Sequence, residues 1–128
     1  MSDKRCLHSD RVPPAVGPYS QAVRAGELVF CSGVIPLDPE TKKLVEGGIA
    51  EQTRRVLDNL TMLLDDCGTS MWRVVKTTVF LQNMEHFAEF NAIYAEYFPH
   101  DPPARSTVQV ARLPLDVLVE VEAIAQLP

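Results

Sequence analysis

The sequence predicts an α+β domain in which two helices pack on one face of a single β-sheet. The first observation is the order of elements: segments of strand-forming residues and segments with helical periodicity alternate as β-β-α-β-α-β-β. The second is the length of 128 residues, which suits one domain with its own core. We therefore expect residues 1–128 to form one domain, with residues 1–16 as an N-terminal arm or edge segment.

The first two strands are predicted to form a β-hairpin. Gly17 and Pro18 turn the chain out of the arm into residues 19–25, and residues 28–34 (LVFCSGV) are rich in strand formers. Gly26 and Glu27 lie between the two segments as a candidate tight turn. Residues 36–48 contain two prolines and two glycines, which favours a loop.

Two segments have the periodicity of amphipathic helices. Residues 49–67 place apolar side chains at steps of three and four, and Gly68 is a typical stop signal. A second apolar stripe lies within residues 84–98, where Pro99 ends it. Each helix would connect strands of the same sheet.

The remaining strands differ in their patterns. Residues 74–81 (VVKTTVFL) are β-branched and apolar on both faces, which indicates a central strand. Residues 103–114 (PARSTVQVARLP) begin as a turn and continue as a strand. Residues 117–125 alternate, with Val119 and Val121 on one face and Glu120 and Glu122, together with Leu118 and Ile124, on the other.

Two helices can cover only one face of this sheet, and the other face still has apolar side chains. An uncovered apolar face favours self-association. The sequence therefore predicts a homo-oligomer whose sheet faces pack around a shared axis. Sites at the rim of such an assembly would combine residues of two chains.

Composition excludes several classes of function. The net charge of −5 disfavours a broad nucleic-acid surface, because such surfaces neutralise phosphates. No apolar run approaches the ~18 residues of a membrane span, and the polar N-terminus has no apolar core of a secretory signal. We expect a cytoplasmic protein, and an organellar location, mitochondrial or other, remains open.

The cysteines and histidines do not form recognisable metal or disulfide motifs. Cys6, Cys31 and Cys67 are odd in number and widely spaced, and Cys31 and Cys67 lie in apolar runs typical of core positions. The three histidines, His8, His86 and His100, have no ligand spacing and are interpreted as surface residues. We therefore predict reduced thiols and no metal site.

Arg105 and Glu120 are the candidate reactive residues. Arg105 lies where the chain enters a strand, and its planar cation suits bidentate binding of a carboxylate. It could equally be a rim arginine paired with a surface acid, and Arg112 competes with it. Glu120 lies inside an alternating strand, where burial would raise its pKa towards values useful in proton transfer. The alternative is an edge charge that deters aggregation, with Glu122 in the same acidic face.

Four further residues are candidates for binding. Asn91 interrupts the second apolar stripe, and it could bind a ligand or simply cap a backbone group. Ser32 and Gly33 end a strand, where the glycine either admits a ligand to the backbone or marks a bulge. Tyr19 is either a core residue or a lid over a pocket.

Several stretches together resemble the RidA (YjgF) family. They are VGPYSQAV at 16–23, CSGVIP at 31–36, VVKTTVFLQNMEHFAEFNAIYAEYF at 74–98 and PPARSTVQVARLPLDVLVEVEAIA at 102–125. The resemblance extends from about residue 10 to residue 126. It implies a chorismate-mutase-like fold and a homotrimer with three clefts, each lined by two subunits.

The resemblance also implies an activity. Enzymatic members of the family hydrolyse reactive enamines and imines, such as 2-aminoacrylate with its tautomer 2-iminopropanoate, and 2-iminobutanoate, to 2-oxo acids and ammonia. They use no metal or organic cofactor. Other members resemble endoribonucleases that inhibit translation, which is the first alternative for this chain. The second is a non-enzymatic protein that binds small carboxylates or acts as a holdase chaperone.

The family's roles transfer to this chain by residue. The carboxylate-binding arginine falls on Arg105 and the acid that handles water falls on Glu120. The substrate contacts fall on Tyr19, Ser32, Gly33, Asn91 and Thr107. Position 107 often holds cysteine in bacterial members, so threonine here argues against a mechanism that requires a thiol at that position.

Overall fold

A computed structural model describes residues 3–128 as one six-stranded mixed sheet with two α-helices against one face. The strands are β1 Arg5–Leu7, β2 Ala22–Ala25, β3 Leu28–Val34, β4 Val74–Leu81, β5 Ala104–Gln109 and β6 Val119–Gln126. The helices are α1 Ile49–Asp66 and α2 Phe87–Tyr97, and short 3-10 turns lie at Met71–Arg73, Met84–His86 and Pro114–Asp116. The strand order across the sheet is β1-β2-β3-β6-β4-β5.

The predicted order of elements is confirmed, with one addition. The segment predicted as an arm or edge segment contains β1, which pairs antiparallel with β2 at the edge of the sheet. Its edge position agrees with the prediction, but the strand itself was not predicted, because three residues are too few to show a period-two pattern. The strand predicted to begin at residue 19 begins at Ala22 in the structure, because Gly17, Pro18, Tyr19 and Gln21 form bends.

The predicted hairpin is confirmed, and its turn depends on Gly26. β2 and β3 pair antiparallel, from Ala25 opposite Leu28 to Ala22 opposite Cys31. Gly26 adopts a φ of 61°, a left-handed conformation that glycine reaches without steric cost. β6 then lies between β3 and β4, and β4 pairs parallel with β5 through the crossover helix α2.

The core lies between the helices and one face of the sheet. Successive side chains of a strand point to opposite faces, so every second residue of the central strands reaches the core. The fully buried side chains come from both layers. They include Val56, Leu57, Leu60 and Leu64 of α1, Phe90 of α2, and Val29, Val79, Leu81, Val119, Val121 and Ala125 of the sheet.

The opposite face of the sheet is open, as the sequence predicts. Phe30 of β3 and Val108 of β5 are 41% and 44% exposed, although both lie within strands. Phe80 and Ile124 are half-buried on the same face, where Ile124 pairs with Phe30. No helix within residues 3–128 covers this face, and its association with other copies stays a prediction.

Two of the cysteines are core residues, as predicted. Cys31 and Cys67 are buried, and burial raises the pKa of their thiols to about 12 and about 11. Thiols with such values stay protonated near neutral pH and are poor nucleophiles. Among the described residues, no helix combines the length and apolarity needed to cross a bilayer.

Polar contacts fix the N-terminal segment against α1 and β2. The buried Gln21 side chain accepts a hydrogen bond from Ser9 N at 2.7 Å and donates to Ser9 O at 3.1 Å and Pro13 O at 3.0 Å. Arg11 donates from Nε and Nη2 to Asp66 at 3.1 and 2.7 Å. These contacts hold the segment that forms one wall of the cavity described below.

Replacement of Asp66 by asparagine is expected to make the stability of the fold depend less steeply on pH in the acid range. Hydrogen bonds from Arg11 and then Ser9 lower the pKa of Asp66 in the folded state. A depressed acid stabilises the fold above its unfolded pKa of ~3.9, and that contribution is lost as pH falls through the folded pKa. Melting temperatures measured from pH 6 to pH 2 should therefore fall less steeply for Asp66→Asn than for the wild type. Glu46→Gln, an exposed acid in a loop, is the control, and equal slopes for all three proteins would contradict the prediction.

Candidate functional site

Arg105 and Glu120 lie on opposite faces of the sheet within one chain. Arg105 is opposite Thr77, whose side chain is fully buried under α2. Glu120 is opposite Phe80, on the open face. β4 separates the two strands, and neighbouring strands lie about 4.8 Å apart. A pocket that contains both side chains therefore needs the second one from another copy of the chain.

The structure brings four of the predicted residues together around one cavity. Tyr19, Ser32, Gly33 and Glu120 all line a cavity of about 700 Å³. The cavity lies at the carboxyl end of β3 and the amino end of β6, because these antiparallel strands place those ends side by side. The four predicted residues are therefore close together in the fold, although they are up to 101 positions apart in the chain.

Apolar side chains that sequence reasoning did not select form most of the cavity wall. They come from the N-terminal segment, from the loop after β3, from α1 and from the 3-10 turn before β6. Examples are Val12, Val16, Leu37, Leu63 and Leu115. Such residues look like ordinary core positions in a sequence, so only the tertiary arrangement shows that they line a cavity.

Glu120 is half-buried, and its pKa is raised. Desolvation is the larger cause, and repulsion by Glu122 two residues along the strand is the smaller one. Both effects penalise the carboxylate relative to the neutral acid. The site therefore contains an acid that holds a proton at higher pH than an exposed glutamate does.

Gly33 leaves the space that the Glu120 side chain occupies. A Cβ atom at this position would overlap Glu120 Oε2 and lie 2.7 Å from its Cδ. The strand pairing shifts register between Cys31 and Val34, so Ser32 and Gly33 form a bulge opposite β6. The bulge interpretation of this glycine is therefore confirmed, whereas the group that approaches it closely is the Glu120 side chain, and contact with a ligand stays a prediction.

Ser32 and Tyr19 are fixed by backbone contacts. Ser32 Oγ donates to Ser20 O at 2.6 Å, and Ser32 N donates to Gln21 O at 3.0 Å. Tyr19 N donates to Gly17 O at 2.8 Å, and the Tyr19 side chain is 52% exposed at the cavity. This exposure rules out the core interpretation of Tyr19 and agrees with a side chain at the rim of a pocket.

A second cluster lies around Arg105, which is on β5 and faces aromatic side chains of α2. Its Cζ lies 4.7 Å from the ring centroid of Tyr94, 5.6 Å from that of Phe87 and 5.8 Å from that of Phe90. Among residues 3–128, no carboxylate lies within 4.0 Å of its guanidinium. Arg112, the competing candidate, pairs instead with Asp116 at 2.9 Å on the surface. The structure thus distinguishes the two arginines that the sequence left equivalent.

Buried polar atoms without partners accompany Arg105 on α2 and β5. Asn91 lies on the same helical stripe as Phe87 and Tyr94, and its Oδ1 is buried without a hydrogen bond from the described residues. Thr107 follows Arg105 by two residues on the same face, and its Oγ1 is in the same state. Buried polar atoms usually have partners, so both atoms retain an unused capacity for a hydrogen bond.

One histidine was interpreted wrongly from the sequence. His86 was predicted to be a surface residue, but it is half-buried and its Nδ1 is buried without a partner in the described part of the chain. It ends the 3-10 turn Met84–His86 directly before α2. A single histidine between Glu85 and Phe87 has no periodicity that could have indicated this burial.

Replacement of Glu122 by glutamine is expected to lower the pKa of Glu120 only in part. The substitution removes the repulsion, which is the smaller cause, and leaves the desolvation that raises the value most. NMR titration of the Glu120 side-chain carbonyl should show a pKa above the ordinary value of ~4.3 in the wild type and a smaller elevation in Glu122→Gln. Glu89→Gln, on the exposed side of α2, is the control. A wild-type value at or below the ordinary one would contradict this account of the site.

Comparison with known proteins identifies relatives across nearly the whole chain. A family model described as endoribonuclease L-PSP matches residues 9–127. The chain is 48% identical over 122 residues to a RutC family protein of Pyrococcus abyssi, covering 95% of this chain and 96% of that one. It is also 48% identical over 124 residues to the chloroplastic Reactive Intermediate Deaminase A of Arabidopsis thaliana, covering 97% of this chain and 66% of the relative.

A solved structure extends the comparison to the fold. The crystal structure of Escherichia coli TdcF with bound serine superposes with a TM-score of 0.90 at 39% identity, covering 97% of this chain and 99% of that one. The chorismate-mutase-like architecture predicted from the resemblance is thereby confirmed for the single chain. The chain belongs to the endoribonuclease L-PSP family, which is the RidA (YjgF) family that its motifs indicate.

Proposed function

We propose that this protein hydrolyses 2-imino acids, namely 2-iminopropanoate with its tautomer 2-aminoacrylate and 2-iminobutanoate, to 2-oxo acids and ammonia. The observation that carries the proposal is the Arg105 guanidinium, which is held on aromatic rings without a carboxylate partner among the described residues. The similarity to a Reactive Intermediate Deaminase A supports a deaminase role in general. A relative crystallised with serine supports a site for small molecules that have a carboxylate.

Arg105 would bind the substrate carboxylate. A guanidinium donates two parallel hydrogen bonds to a carboxylate, which fixes both the position and the orientation of the ligand. The imine carbon, adjacent to the carboxylate carbon, is then held at a defined place. Orientation of this kind can supply most of the catalysis, because water adds to imines readily without an enzyme.

Glu120 would move the protons of the reaction. Water adds to the C=N carbon while the nitrogen gains a proton, which gives a tetrahedral carbinolamine. The carbon–nitrogen bond then breaks as the oxygen loses a proton and the nitrogen gains one, so ammonia leaves and the 2-oxo acid forms. An acid whose pKa is raised suits both transfers, since it can donate a proton and recover it. No electrons change hands, so the proposed reaction requires neither oxidant nor reductant.

The remaining predicted residues would surround the substrate. Asn91 Oδ1 can accept a hydrogen bond from the N–H of the imine, and Thr107 Oγ1 can donate one to the carboxylate. Ser32 and Gly33 would contact the substrate beside Glu120, and Tyr19 would close the cavity from its exposed rim. A threonine hydroxyl is a weak nucleophile without an adjacent base, so the proposed mechanism uses no covalent step at position 107.

The proposed site needs at least two copies of the chain. The Arg105 cluster and the Glu120 cavity open on opposite faces of the sheet, and β5 is an edge strand that a second copy can approach from the side. The open face with Phe30 and Val108 provides an apolar surface for association. We take the assembly to be a homotrimer with three equivalent sites between neighbouring copies, as the family resemblance implies.

Ribonuclease activity is the alternative that the description of the family model supports. The chain has a net charge of −5, whereas proteins that bind RNA through its phosphates usually present a basic surface. A protein that only binds carboxylates, or that acts as a holdase, would not need Glu120, an acid with a raised pKa, in addition to Arg105. Both alternatives are tested by assaying imine turnover, RNA cleavage and suppression of aggregation on the same preparation.

Replacement of Arg105 by alanine is expected to reduce kcat/KM by at least about a hundredfold, because a charge-assisted bidentate contact contributes roughly 3 kcal/mol. Turnover is measured with 2-iminopropanoate generated in the cuvette. Arg105→Lys should recover only part of the activity, since an ammonium cannot form the two parallel contacts. Arg112→Ala, which removes a surface ion pair, is the matched control and should keep wild-type activity. An active Arg105→Ala protein would refute the anchor role.

Mixing two inactive variants is expected to restore activity if each site combines two chains. Glu120→Gln should lower kcat more than it changes KM, because the amide cannot transfer the proton. When Arg105→Ala and Glu120→Gln are unfolded and refolded together in equal amounts, about one quarter of the sites should contain both native residues. Activity should therefore rise to roughly a quarter of the wild-type value. No recovery in assemblies shown to be mixed would contradict a site shared between copies.

A further inference from the structure

The aromatic contacts of Arg105 form a stacked arrangement on one side of α2. Phe87, Phe90 and Tyr94 are spaced by three and four residues, so their rings lie on one helical face. All three rings lie within 5.8 Å of Arg105 Cζ, and Tyr94 is the nearest at 4.7 Å. Phe90 and Tyr94 are buried, whereas Phe87 is only half-buried. We call Phe87, Phe90 and Tyr94 the aromatic cradle.

A cradle of rings holds an arginine differently from an acid. The ring faces attract the cation without neutralising its charge. A carboxylate partner would neutralise that charge, so it would compete with an anionic ligand. Arg105 therefore keeps its charge available to an anionic ligand, while its position is fixed by packing.

A hydrogen bond fixes the nearest ring of the cradle. Tyr94 Oη lies 2.7 Å from Thr77 Oγ1, and both groups are buried. Thr77 is directly opposite Arg105 in the parallel pair of β4 and β5. Burial raises the pKa of Tyr94, so its hydroxyl stays neutral and does not become an anion that would neutralise Arg105. The pairing of β4 with β5 thus fixes the position of Arg105 relative to Thr77, and Thr77 fixes the Tyr94 ring.

We propose that Phe87 and Tyr94 are positioning residues that hold the Arg105 guanidinium in the geometry that binds the carboxylate of a 2-imino or 2-oxo acid. The inference rests on the proposed function for the identity of the ligand, although the cradle lies within a single chain. It assigns to these rings a role in ligand affinity in addition to their packing. The three-dimensional contacts with Arg105 are the evidence, since the stripe itself is typical of any core helix.

The test compares Phe87→Leu with Phe87→Tyr, Tyr94→Phe and the control Phe98→Leu. Phe98 lies on the same stripe and its ring packs 4.6 Å from that of Tyr94, but it has no contact with Arg105 among the cation–ring contacts. Phe87→Leu should raise both KM for 2-iminopropanoate and Kd for pyruvate by about tenfold, with kcat changed less than twofold. Phe87→Tyr, which restores a ring, should return both constants to wild-type values.

Two further readouts separate positioning from general stability. Phe98→Leu should lower the melting temperature and leave Kd for pyruvate unchanged. The Arg105 Hε resonance of the wild type should lie upfield from ring currents and move downfield in Phe87→Leu. Tyr94→Phe keeps the ring and should raise Kd less than Phe87→Leu does. An unchanged Hε shift or an unchanged Kd in Phe87→Leu would overturn the role of the cradle.

The outcomes also distinguish this inference from the proposed function. Imine turnover with a KM that does not depend on Phe87 would contradict the positioning role of the aromatic cradle and would still support the proposed deaminase function. Pyruvate binding that depends on Phe87 in a protein without imine turnover would sink the deaminase and support the cradle. A wild-type protein that neither binds pyruvate nor hydrolyses the imine would overturn both.

Discussion

The alternation of side chains along β6 is the constraint on which the rest of the structure depends. Val119, Val121 and Ala123 are buried against the helices, so Glu120 and Glu122 must point to the other face. The same geometry applied to β5 turns Arg105 towards α2. A shift of either strand by one residue would expose the core and bury the charges, which makes the register costly to change. The positions of the acid and the cation are therefore fixed by the same interaction that forms the core.

The two clusters differ in how the protein controls charge. At Glu120, desolvation and a neighbouring acid favour the neutral form. At Arg105, aromatic rings retain a permanent cation without a counter-ion among the described residues. Two other arginines do have carboxylate partners, Arg54 with Glu96 and Arg112 with Asp116. A small anionic substrate needs a cation that is left unpaired, to bind its charge, and an acid that is easily protonated. The two clusters supply one of these groups each.

The sequence predicted most of the fold because the signals of its elements are local. The apolar stripe of α1 predicted its start at Ile49, and the β-branched run 74–81 predicted β4 without error. β1 was not predicted as a strand, since three residues at an edge depend on pairing with β2 rather than on their own pattern. His86 was predicted to be a surface residue, but it is half-buried, and the burial of a single side chain leaves no periodic signal in the sequence.

The sequence by itself determined the order of elements, the two faces of the sheet and the residue types available for chemistry. The motifs around Tyr19, Arg105 and Glu120 were sufficient to indicate the family, because they are contiguous in the chain. Only the tertiary structure decided that Arg112 pairs with Asp116, that Arg105 has no carboxylate partner within residues 3–128, and that Gly33 makes room for the Glu120 carboxylate. The physical reason is that ion pairing, desolvation and close approach depend on neighbours in space, which periodicity and spacing along a chain do not encode.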